Sequence, residues 1–79
     1  MKFKFEIEAG FIVRNTIRTE LNNSKLKLEY AYPNCSVTIH EEKTVFESVF
    51  KIQGVNLPDT DEVERVIRKW FKQIENATN

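Results

Sequence analysis

Residues 10–22 read Gly10-Phe11-Ile12-Val13-Arg14-Asn15-Thr16-Ile17-Arg18-Thr19-Glu20-Leu21-Asn22, and the fold turns on whether this stretch is helix or strand. As a helix, Val13, Ile17 and Leu21 recur every four residues with Arg14 and Arg18 alongside. As a strand, Phe11, Val13, Ile17 and Leu21 share one parity. The β-branched Ile12, Val13, Thr16, Ile17 and Thr19 favour extended chain, with Ala9-Gly10 then serving as a hairpin turn. A weak N-cap also counts against the helix. A sheet face, however, needs an apolar cover, and one further helix is a thin supply of it; this tips the reading to the helix. Asn22-Asn23-Ser24 is expected to end the element either way.

The flanks are simpler. Residues 2–8 alternate, with Phe3, Phe5 and Ile7 on one face and Lys2, Lys4, Glu6 and Glu8 on the other, the pattern of a half-buried strand. Residues 25–32 alternate too, and the spacing predicts a strand with Leu26, Leu28, Tyr30 and Tyr32 inward. Pro33-Asn34 makes a turn. Residues 35–41 place Cys35, Val37 and Ile39 inward and Ser36, Thr38 and His40 outward, before a turn at Glu41-Glu42-Lys43. Residues 44–54 form a longer strand that Gly54 ends. Phe46, Phe50 and Ile52 share its inner parity, while Val45 and Val49 lie on the other. Either a bulge near Glu47-Ser48 shifts the parity or the second face is covered by something else.

The strongest helix signal lies in residues 59–75. Val63, Val66, Ile67, Trp70, Phe71 and Ile74 follow a 3.6-residue period, and Asp59 and Glu62 have capping-box spacing. An acidic first turn and a basic later turn suit the helix dipole. The expected fold is therefore α+β: an antiparallel sheet of three or four strands, in the order β-α-β-β-β-α, covered on one face by the C-terminal helix. A single domain over residues 1–79 is expected, with a frayed tail from Asn76.

Composition removes several function classes. One cysteine, Cys35, allows no internal disulfide, and Cys35 with His40 are too few soft ligands for a structural zinc site. No cofactor is implied, since Gly10 and Gly54 stand alone and form no phosphate-binding loop. Twelve basic residues balance twelve acidic ones, which argues against simple coating of nucleic acid. No apolar run approaches a membrane span, and the charged start resembles no secretory signal, so a cytoplasmic protein with a reduced thiol is expected.

Catalysis has little to stand on. His40 beside Glu41 and Glu42 is the only acid–base candidate, and the turn expected there keeps such charges solvated. Cys35 and His40 have opposite parity and point to opposite faces, so no catalytic residue is assigned. Two surfaces remain. Arg65, Arg68, Lys69 and Lys72 cluster opposite the apolar stripe of the last helix, a place for an acidic partner or for nucleic acid. Val45 and Val49 are surplus apolar residues on a strand, and they are expected to bind a protein partner. Phe3, Phe5, Tyr30 and Tyr32 read as core rather than as a platform for stacked bases.

With residues 10–22 helical, the β-α-β-β-α order resembles the small dimerising subunit of the KEOPS complex, or its archaeal paralogue. Asp59 before the last helix, and Val63, Ile67, Trp70 and Phe71 along it, sit where that family keeps a helix-entry polar residue and core positions. The chain departs from the family at Glu64, where an Arg is usual, and at Arg68, where an Asn is usual. The resemblance implies an accessory role in threonylcarbamoyladenosine modification of transfer RNA, as homodimer or heterodimer, with a tRNA contact within the complex. The expected function is thus a non-enzymatic protein–protein interaction module. Two other classes compete: a small virus-encoded inhibitor of a larger nucleic-acid enzyme, and a nucleic-acid binder using the basic helix face.

Overall fold

A computed structural model describes residues 1–77, with five elements: β1 (Phe3–Gly10), α1 (Arg14–Ala31), β2 (Ser36–Lys43), β3 (Glu47–Val55) and α2 (Asp61–Asn76). The sheet is antiparallel with strand order β1-β3-β2, so the last strand in sequence is central and the first two are edges. The chain is an α+β domain in the order β-α-β-β-α, and the C-terminal helix packs on the sheet.

Residues 10–22 are helical in their greater part, but the helix starts at Arg14 and runs on to Ala31. The strand expected at 25–32 is therefore the second half of α1. Asn22-Asn23-Ser24 does not break it, because no Gly or Pro intervenes and continuing the helix brings Leu28 onto the same face as Ile17 and Leu21. Leu26 and Tyr30 consequently point to solvent rather than into a core. Its start is weak, as expected: Val13 occupies the N-cap position without a side-chain cap, and its N–H donates to the Gly10 carbonyl (3.1 Å). At the other end the Tyr32 N–H donates to the Leu28 carbonyl (2.8 Å), and Pro33 follows.

Residue β2 register extends through Glu41-Glu42-Lys43, so the expected turn there lies later, at residues 44–46. The Thr44 N–H donates to the Glu47 carbonyl (2.8 Å), and the Glu47 N–H donates back to Thr44 Oγ1 (3.1 Å), closing the β2–β3 loop. Pairing of β1 with β3 is unbroken from Phe3↔Gly54 to Gly10↔Glu47, so no bulge forms at Glu47-Ser48. Gly54 does not end β3, which continues to Val55; the missing Cβ instead makes room for the Phe3 ring. Asn56, at φ 62°, turns the chain out, a left-handed conformation that asparagine tolerates.

One sheet face is buried. Phe50 and Ile52 of β3 lie at its centre, with Ile7 of β1 and Val37 of β2 beside them. The α1 residues Ile17, Leu21 and Leu28 and the α2 residues Val63, Ile67 and Phe71 close over them. The Phe71 ring stacks on Phe5 (centroids 4.8 Å) and leans on Phe3 (5.5 Å), which seats α2 above β1. The helix begins one residue later than its capping-box spacing suggests. Thr60, not Asp59, is the N-cap, and its Oγ1 accepts the Val63 N–H (3.2 Å). Asp61, Glu62 and Glu64 supply the acidic first turn; the last turn holds no basic residue. Asn76 closes α2, and residues 78–79 of the tail expected to fray from Asn76 lie outside the described residues.

Candidate interaction surface

The β1–α1 connection and the β2–β3 loop meet at one end of the sheet. The β1–β3 register carries one step beyond the strands, where the Phe11 N–H donates to the Phe46 carbonyl (2.9 Å). Arg14 adds a second tie, its guanidinium donating to the Thr44 carbonyl (2.6 Å). This held pair of loops carries four large apolar side chains in solvent: Phe11 is 57% exposed, Ile12 79%, Val45 79% and Phe46 77%. Buried cores absorb such residues in most small domains, and a clustered exposed set is the usual mark of a contact surface.

The structure thus separates the two residues expected to bind a partner. Val45 sits at this loop tip. Val49 lies on the open face of the sheet, opposite Glu8 on β1 and Glu42 on β2, and is half-buried by its neighbours. That open face is polar: Lys51 donates to Glu42 (3.0 Å), and His40 Nε2 lies 4.0 Å from the same carboxylate. The mutual pairing lowers the Glu42 carboxyl and raises the Lys51 ammonium from their ordinary values. Phe11, Ile12 and Phe46 were not legible as contact residues. Phe46 has the parity of Phe50 and Ile52, and only the closing of the loop before Glu47 takes it off the strand.

Under the tip, the buried face holds one ionic group. Glu41 shares the inward parity of Val37 and Ile39, and α1 brings Arg18 to it. Arg18 Nε and a terminal guanidinium nitrogen donate to the two Glu41 oxygens at 2.7 Å each. Ser48, fully buried on β3, donates to the same carboxylate (2.7 Å), and Arg18 donates its remaining fork to Asn15 (2.7 Å). Arg18 beside it, above all, holds the Glu41 carboxyl down at about 2, against an ordinary 4.5. The solvated turn expected at Glu41 is thus replaced by a cross-link of α1, β2 and β3. Each nitrogen of the Arg18 guanidinium and each oxygen of the Glu41 carboxylate has a partner, which makes the group a structural clamp across α1, β2 and β3.

The other sequence candidates are dispersed. Arg65, Arg68, Lys69 and Lys72 are all exposed on α2, but Arg68 pairs with Glu64 (2.6 Å) and Arg65 donates to the Asp61 carbonyl (3.4 Å). The basic face is interleaved with the acidic first turn. Cys35 is buried, as expected, and burial with Glu29 nearby raises its thiol, which keeps it protonated and unreactive. Among the described residues no group of three His, Cys, Asp or Glu is placed to hold a metal ion. No described helix is long and apolar enough to cross a membrane. Compared with protein-family models, curated proteins and solved structures, the chain finds no match.

Proposed function

We propose that this chain is a non-enzymatic protein-interaction module whose anchor is the loop tip, with Phe11, Ile12, Val45 and Phe46 entering an apolar pocket of a larger protein. The observation that carries this is the exposure of four large apolar side chains on two loops fixed to each other by backbone hydrogen bonds. A rigid anchor loses little conformational entropy on docking, so more of the burial remains as affinity. Aromatic anchors such as Phe11 and Phe46 are the usual centres of such contacts. The cytoplasm, where Cys35 stays reduced, is the compartment this reading assumes.

Two forms of the module differ in the partner. The element order β-α-β-β-α favours the accessory-subunit form, in which the tip docks on a KEOPS-type tRNA-modifying assembly. The inhibitor form has the tip plug a nucleic-acid enzyme. Direct nucleic-acid binding through Arg65, Arg68, Lys69 and Lys72 has less support, because Arg68 is already paired with Glu64. A photo-crosslinking phenylalanine analogue placed at position 46, with position 30 as an exposed control, tests the module in its native cells. The expected result is one protein joined at 46 and not at 30, lost when Ile12→Ser is added. Equal labelling from both positions overturns the tip as an anchor. The identity of the joined protein separates subunit from inhibitor.

A further inference from the structure

The charges beside the loop tip are sorted by sign. Successive residues of a strand point to opposite faces, so Glu42 and Lys43, consecutive on β2, leave the sheet in opposite directions. On the open face, the end of the sheet next to the tip carries Glu8, Glu42 and Glu47. Lys51 takes only Glu42 (3.0 Å), so Glu8 and Glu47 are left over. On the helix face, the same end carries Arg14, Arg18 and Lys43. Glu41 takes only Arg18 (2.7 Å), so Arg14 and Lys43 are left over. Arg18 above all, and Lys43 to a lesser degree, draw the Glu41 carboxyl down, which places the Lys43 ammonium on the helix side. Glu8, Glu47 and Lys43 are exposed, and among the described residues their side chains have no hydrogen bond or ion pair.

The apolar tip therefore stands between two lips of opposite charge, acidic on the sheet side and basic on the helix side. Such an arrangement selects its partner by sign. A polyanion drawn to Arg14 and Lys43 also meets Glu8 and Glu47, and a protein surface of uniform charge is repelled by one lip or the other. At physiological salt screening acts over about 8 Å, so each lip is sensed by the groups that face it directly. We infer, on the reading of the tip as anchor, that it docks one way round into a protein cleft that is apolar at depth. The wall of that cleft facing α1 carries carboxylates, and the wall facing the open sheet carries lysine or arginine. Phe11, Ile12, Val45 and Phe46 supply the burial, and the two lips fix the orientation and exclude partners of a single sign.

The photo-crosslinking phenylalanine analogue at position 46 tests the lips through the yield of the joined protein in native cells. Glu8→Lys with Glu47→Lys reverses the sheet-side lip, and Lys43→Glu reverses the helix-side lip. Each reversal is expected to lower the yield about 10-fold. Lys43→Gln removes the charge without setting a second carboxylate beside Glu41, and lowers the yield about 3-fold. Lys2→Glu, exposed beyond the far end of β1, leaves it unchanged. Far-UV circular dichroism of the purified variants checks that each is folded. Yields that both reversals leave unchanged, while Ile12→Ser still abolishes the product, overturn the lips and keep the tip as anchor. One reversal that lowers the yield and one that raises it means a partner of a single sign and overturns the inference, as does a product that is nucleic acid. Equal labelling from positions 46 and 30 removes the tip as anchor and the lips with it.

Discussion

Substituting Glu41→Gln removes the charge from the clamp and leaves its shape. The side chain accepts hydrogen bonds from Arg18 twice and from buried Ser48 once, and its carboxyl is held at about 2 against an ordinary 4.5. A displacement of that size corresponds to at most about 3 kcal/mol of stability at neutral pH. Water reaches the pair, since the Arg18 and Glu41 side chains are 35% and 21% exposed, so screening brings the expected loss down to about 1–2 kcal/mol. In a domain this small that is a large share of the total. The pH dependence gives the loss a signature. The folded-state carboxyl lies below its unfolded value, so its stabilisation is whole above about pH 4.5 and disappears as the pH falls from there to about 2. Urea unfolding followed by circular dichroism, run on wild type and variant from neutral pH downward, reads the difference directly. Two curves that converge between those limits support the clamp. A Gln variant as stable as wild type at neutral pH, or a deficit that stays constant to about pH 2, refutes it.

Three further substitutions follow from the packing. Phe71→Ala removes the ring that seats α2 on Phe3 and Phe5 and is expected to cost about 3–5 kcal/mol, enough to leave the chain largely unfolded by circular dichroism. Gly54→Ala drives a methyl into the Phe3 ring, which must leave its place against Phe71; a loss of about 1–3 kcal/mol in urea is expected, and a neutral result means that Phe3 is not held there. Tyr30→Lys separates helix from strand at residues 25–32: on the exposed face of α1 it shifts stability by less than about 0.5 kcal/mol in thermal melts, whereas an inward strand position loses several times that.

Residues 2–8, 35–41 and 59–75 announce their elements because each carries one unbroken period: two for β1 and β2, 3.6 for α2. The buried faces of these elements follow from the same patterns, and so do the inward place of Cys35 and the outward place of His40. Residues 10–32 do not announce theirs. Ile17, Leu21 and Leu28 fit a helix, but Leu26, Leu28, Tyr30 and Tyr32 fit a strand, and apolar residues four apart, such as Ile17 and Leu21 or Leu28 and Tyr32, satisfy both periods. Length decides it. A sheet of three strands leaves a face that α2 alone does not cover, and an 18-residue helix laid along β2 covers the rest at the expense of exposing Leu26 and Tyr30.

The surfaces divide in the same way. The charge order Lys2, Lys4, Glu6, Glu8 and its alternation with Phe3, Phe5 and Ile7 are properties of the sequence, as is the surplus of apolar residues around Val45. That β1 is an open edge is a property of the tertiary structure, because β3, last in the chain, takes the centre of the sheet. That Phe11 and Ile12 stand beside Val45 and Phe46 depends on the same pairing, which joins loops more than thirty residues apart. Glu41 shows the division most plainly. Its parity points it inward, yet no local pattern reveals that Arg18, 23 residues away, arrives to neutralise it. Hydrophobic period is local and survives in one dimension; charge pairing, edge exposure and adjacency of loops arise only when distant segments are brought together by the core.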